Sequence, residues 1–86
     1  MSSDKTLYSI QNEKGEVTTI TLYKLVADTL QESLPDVHAW VQNAFDRVVA
    51  TKPELSRHQK GDLVRRLSIR EAEKFPRYIE LIAYHF

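Results

Sequence analysis

Residues Thr18 to Ala50 set the tightest limits on this fold: a Thr-Thr-Ile-Thr-Leu run leads into one amphipathic stretch, then Pro35-Asp36, then a second. The second stretch carries the stronger signal. Val37, Trp40, Val41, Ala44, Phe45, Val48 and Val49 fall at i, i+3, i+4, i+7, i+8, i+11 and i+12, which is one face of an α-helix. Gln42, Asp46 and Arg47 occupy the opposite side. Two large aromatics on the stripe, Trp40 and Phe45, predict that this helix forms the centre of the core.

Upstream, residues 6–22 read as a β-hairpin. Asn12-Glu13-Lys14-Gly15 suits a type I turn, with Gly15 supplying the positive φ that the turn requires. Pairing Asn12 with Glu16 sets Ile10 against Thr18, Tyr8 against Ile20 and Thr6 against Leu22. One face then holds Tyr8, Ile10, Ile20 and Leu22 for the core. The other holds Leu7, Ser9, Gln11, Val17, Thr19 and Thr21 for solvent or a partner. A first helix is expected over 22–34, with Thr21 as its N-cap and Leu22, Leu25, Val26, Leu30 and Leu34 as its stripe. The second is expected over 36–51, with either Asp36 as its cap or Pro35 as its first residue.

Thr51-Lys-Pro-Glu54 and Ser56-Arg-His-Gln59 both have capping-box spacing, so a third helix begins near Pro53 or Arg57 and covers 56–67. A further match, Ser68-Ile-Arg-Glu71, predicts a break or bend at Ser68, with Pro76 interrupting again within a segment 69–85 read as helical. The tail from Tyr78 is apolar almost all round, which implies burial against the domain or a second copy and leaves a strand open for 78–86. The fold class is therefore α+β: an N-terminal hairpin followed by three to four helices in one small domain.

At 86 residues the chain is short for a self-sufficient core, and without cysteine it has no disulfide or thiolate metal site to add stability. A homodimer is one remedy. No apolar run is long enough to span a bilayer, and Met1-Ser-Ser-Asp-Lys is polar with no secretory core behind it. These features predict an intracellular, cytoplasmic protein with no membrane partner. Catalysis is not expected: Gly15 and Gly61 are the only glycines, and His38, His58 and His85 are scattered. No carboxylates are paired in an apolar run, and His58 with Asp62 makes only two ligands at i, i+4. No cofactor, metal site or catalytic residue is assigned.

The net charge is zero but unevenly spread: residues 1–51 hold four Lys/Arg against seven Asp/Glu, and 52–86 hold eight against five. Thr19, Thr21 and Tyr23 are outward candidates on the second strand, and threonine can hydrogen-bond a base edge and touch a thymine methyl. Thr18 to Val49 resembles the ribbon-helix-helix family of small dimeric DNA-binding repressors and antitoxins, a likeness of pattern over about a third of the chain. The resemblance implies base reading by Thr19, Thr21 and Tyr23, and a homodimer whose strands pair antiparallel. It departs from the family in having no Arg or Lys between Glu16 and Tyr23. Ala50 to Leu67 also resembles a helix-turn-helix with its recognition helix starting at Arg57, although Lys60 and Glu54 stand where apolar and glycine residues are wanted.

Arg57, Lys60, Arg65, Arg66 and Arg70, with Lys74 and Arg77, form a basic set that either mode could turn on phosphate. The first expectation is thus a homodimeric DNA-binding transcriptional regulator. The second is a protein-binding module such as an immunity protein, antitoxin, anti-defence inhibitor or adaptor of a mobile element, steered by complementary charge.

Overall fold

The structure, a computed structural model, describes residues 4–85, the side chain of His85 excepted. Readings that rest on the first three residues or on Phe86 lie outside the described residues. Strand β1 (Lys5–Gln11) and strand β2 (Val17–Tyr23) form a two-stranded antiparallel sheet. Helices α1 (Lys24–Ser33), α2 (Val37–Thr51), α3 (Arg57–Ala72) and α4 (Pro76–His85) follow. The α+β architecture expected from the sequence is the one present.

The hairpin register is the expected one, with Thr6 opposite Leu22, Tyr8 opposite Ile20 and Ile10 opposite Thr18. Gly15 has φ +78°, and the Asn12 side-chain oxygen accepts from the Lys14 and Glu16 amides at 2.9 Å each, which locks the turn. Ile10, Ile20 and Leu22 are buried beneath the sheet, while Tyr8, half-buried, accepts a hydrogen bond from Gln31.

Helix α1 begins later than expected, because strand pairing continues through Tyr23. The Lys24 amide donates to the Asp4 carbonyl at 2.7 Å, so the other strand takes up a helix-end donor that a Thr21 cap would have served. Asp36 is the N-cap of α2, its carboxylate accepting from the Ala39 amide at 3.0 Å. Ser56 and Gln59 make the reciprocal capping box of α3. Thr51 instead ends α2, its hydroxyl donating back to the Arg47 carbonyl.

The break expected at Ser68 does not occur: α3 runs through it to Ala72. Ser68 is fully buried and its hydroxyl donates to the Arg65 carbonyl, so it serves the helix interior rather than capping a new start. The chain turns at 73–75, and Pro76 opens α4 at the first helical position, where its missing N–H costs nothing. The last segment is therefore helical to His85.

The core gathers Ile10, Ile20 and Leu22 from the sheet, Val26, Ala27 and Leu30 from α1, Val41, Phe45 and Val48 from α2, and Val64 and Ala72 from α3. Phe45 is 1% exposed and is the central aromatic. Trp40, expected beside it, is only half-buried and lines a groove between α2 and α3; its step along the stripe carries it to the edge of the core. Helix α4 packs on α1, and none of its described side chains is fully buried; Tyr78, Leu81 and Ile82 are half-covered while Ile79 and Tyr84 are exposed. Among the described residues, no helix is long and apolar enough to cross a membrane.

Candidate functional site: the outer face of the hairpin

The hydrogen bonds from Asn12 to Glu16 and from Lys24 to Asp4 mark the even-numbered pairs as the bonded ones in this antiparallel ladder. The odd-numbered residues must then turn their backbone N–H and C=O groups out to the sheet's two edges, and helix side chains meet them there. On the β1 edge, the Gln42 side chain both accepts from the Gln11 amide at 2.8 Å and donates to the Gln11 carbonyl at 2.9 Å. His38 Nε2 donates to the Ser9 carbonyl one bonding step further along. On the β2 edge, Arg65 Nη1 donates to the Thr21 carbonyl at 3.4 Å and to the Thr21 hydroxyl at 2.9 Å. Helix α2 thus sits under one edge and α3 under the other, with Gly61 of α3 bringing the helix against Ile20.

The outer sheet face is left open. It carries Lys5, Leu7, Ser9 and Gln11 on β1 and Val17, Thr19, Thr21 and Tyr23 on β2. Leu7 is 67% exposed, Val17 73% and Tyr23 47%. Leu7 and Tyr23 are diagonal neighbours, and Val17 stands two rows away across the small Ser9–Thr19 pair. The face carries an apolar side chain toward each end and hydroxyls in the middle.

The residues assigned to nucleic acid in the sequence separate into several places. Thr19 and Tyr23 are exposed on the outer face. Thr21 is half-buried and its hydroxyl is already taken by Arg65. Arg57 donates from Nε to the Thr18 hydroxyl at 2.6 Å, and Arg65, whose side chain is 18% exposed, also bonds Asp62 at 3.0 Å. Lys60 is not a surface cation at all. Its side chain is 7% exposed, and Nζ meets a Glu13 carboxylate oxygen at 2.8 Å, tying the hairpin turn to α3.

Arg66 is exposed near Asp62, and Arg70 is exposed with no bonding partner among the described residues. Lys74 pairs with Glu71, and Arg77 with Glu32 and Glu80. The continuous basic surface suggested by residue types is therefore broken up by internal contacts. A cation the sequence reading passed over, Arg47 of α2, faces Arg70 across the groove that Trp40 lines.

Electrostatics follow these contacts. The hydrogen bond from Lys60 holds the Glu13 carboxyl below the usual carboxylate range, and the Arg65 contact does the same for Asp62. The Glu32 carboxylate raises the Arg77 guanidinium, and burial pushes the Tyr78 phenol up. None of these groups sits beside a nucleophile or in an enclosed cavity. Among the described residues there is no group of three His, Cys, Asp or Glu side chains that could hold a metal ion. No protein-family model, curated protein or solved structure matches this chain.

Proposed function

We propose that this chain is a non-catalytic protein-interaction module working inside the cell, and that its contact surface is the outer face of the hairpin. One observation carries the reading: of the five large hydrophobic side chains exposed among the described residues, Leu7, Val17 and Tyr23 share that face. Leu7 and Val17 add nothing to the core, because Ile10, Ile20 and Leu22 supply the sheet's share of it, and Tyr23 keeps about half its surface exposed beside the α1–α4 contact. Covering such side chains stabilises a complex by ~1.5–3 kcal/mol each at full burial.

Nucleic-acid binding is the second reading, favoured by Arg70 and Arg47, which face each other across the α2–α3 groove, and by exposed Arg66 one turn before Arg70. Like charges at i, i+4 weaken a helix by a few tenths of a kcal/mol, a cost that an anionic partner offsets. Of the eight residues assigned to DNA, Lys60 is paired inside the protein, the Thr21 hydroxyl and Arg65 bond each other, and Arg57 is tethered through Nε, which supports ranking the DNA reading second. A homodimer formed by strand pairing, as the ribbon-helix-helix resemblance implies, would require Arg65 and α3 to leave the β2 edge.

One experiment separates the readings. A photo-crosslinking amino acid is placed at Leu7 in one variant and at Arg66 in another, in cells that express the chain. A discrete protein adduct at Leu7, with none at Arg66, is the expected result. The mass of that adduct says whether the partner is a second copy or a different chain. Nucleic acid captured at Arg66, with nothing at Leu7, would reverse the ranking.

A further inference from the structure

Beside the open face, between the outer edge of β2 and the first half of α3, lies a cleft of ≈ 430 Å³. Arg57, His58 and Arg65 line it together with Lys5, and Asp62 is the one carboxylate among its lining residues. Asp62 is already matched by Arg65 at 3.0 Å and Arg66 at 3.7 Å. With Asp62 matched in this way, the charge of Arg57 leaves the α3 side of the cleft positive.

The cations are held in place rather than loose. Arg65 is fixed by the Thr21 carbonyl, the Thr21 hydroxyl and Asp62, and Arg57 is fixed through Nε to Thr18. Among the described residues no hydrogen bond engages the two terminal nitrogens of Arg57, which borders both this cleft and the hollow beside Glu13 and Glu16, and that pair has the fork geometry that suits a carboxylate. Ordering costs already met within the folded chain are not charged again on binding.

Resting on the reading of the hairpin face as a protein contact, we propose that this cleft receives an acidic side chain, Asp or Glu, of the protein that docks there. A carboxylate is favoured over a nucleic-acid phosphate by what adjoins the cleft. Leu7 and Tyr23 present apolar surface on the next rows of the sheet, whereas a phosphodiester backbone needs cations repeated along its path. An apolar anchor with a charged neighbour at its rim is the arrangement of a protein interface.

The test uses the full chain, isotope-labelled, with an end-blocked hexaglutamate peptide as the probe and amide chemical shifts as the readout. Shifts should concentrate at Thr19, Thr21, Arg57, His58 and Arg65. Arg57→Glu should weaken the peptide at least about tenfold, the size of one lost charge-assisted hydrogen bond. His58→Glu offers a second variant that breaks no hydrogen bond of the fold, its cost being repulsion from Asp62 one turn on, should Arg57→Glu disturb the hairpin.

Absence of shifts in the cleft, or affinity unchanged in both folded variants, overturns the inference. So does a random-sequence DNA duplex that shifts the same amides at lower concentration than the peptide. A protein adduct at Leu7 without cleft shifts overturns this inference alone. Cleft shifts without any adduct at Leu7 overturn the hairpin reading, and this inference with it.

Discussion

Gln42 closes both outward backbone groups of Gln11, accepting from its amide at 2.8 Å and donating to its carbonyl at 2.9 Å, as a neighbouring strand would. A helix side chain thereby stands in for a third strand. Gln42→Ala should lower stability by ~1–2 kcal/mol, the net worth of two hydrogen bonds at a wet edge. Amide hydrogen exchange at Gln11 should quicken in that variant while exchange at Ile20 stays slow. Equal acceleration at both positions would show that the contact is not local.

Phe45 and Trp40 lie on one helical stripe but differ in depth, and their truncations should differ accordingly. Phe45→Ala removes the 1%-exposed centre of the core and should cost ~3–5 kcal/mol. Trp40→Ala should cost only ~1–2 kcal/mol, since part of that ring already faces solvent in the groove. Urea denaturation of the two variants gives the comparison directly. Equal losses would put the indole back at the centre.

The Glu13–Lys60 pair predicts a pH dependence with a definite sign. The folded Glu13 carboxyl titrates below its ordinary value of 4.5, so its stabilising effect is present above that pH and is lost as pH falls through the lower folded value. Melting temperature should therefore fall between about pH 5 and pH 3, and fall less in Glu13→Gln. At pH 7 the same variant should melt lower than the parent, because the ammonium of Lys60 is left buried without its carboxylate. Adding Lys60→Met to Glu13→Gln should restore the loss. A parent and single variant with parallel acid profiles would remove the pair from the account of stability.

The two glycines should respond in opposite ways. Gly15→Ala forces a side chain into φ +78° and should destabilise by ~1–2 kcal/mol. At Gly61 an added methyl would sit 3.4 Å from the Ile20 side chain, a contact close to ordinary packing distance. Gly61→Ala should therefore hold or raise the melting point, since alanine favours the helix by ~1 kcal/mol. A marked loss there would mean that α3 lies closer to the sheet than this spacing allows.

The turn and two of the helix caps are legible in the sequence, whereas the caps suggested at Thr21, Thr51 and Ser68 and the contacts between distant residues are not. Asn12 to Gly15 specify their turn through side-chain bonds two and four residues away, so the hairpin and its register were legible. The same holds for Asp36 and the Ser56–Gln59 box, whose partners lie within three residues. Ser68 looked like a cap because spacing cannot tell a hydroxyl that starts a helix from one buried inside it. Lys60, Arg57 and Arg65 were read as surface cations because their partners are 39 to 47 residues away, a distance that no motif records. The departure at Lys60 from a helix-turn-helix pattern was the one hint available, since an inward position there was already in view. The outer face was legible from alternation alone, while the cleft beside it depends on how α3 crosses the sheet edge.

A ribbon of two strands consists entirely of margins, and here helix side chains occupy part of each. Another chain thereby finds fewer backbone groups to add itself to, and gains more from recognising shape and side chains. Apart from Thr21, which holds Arg65, the outward residues can be rewritten with little effect on the inward ones, so this small scaffold is free to change allegiance without relearning how to fold.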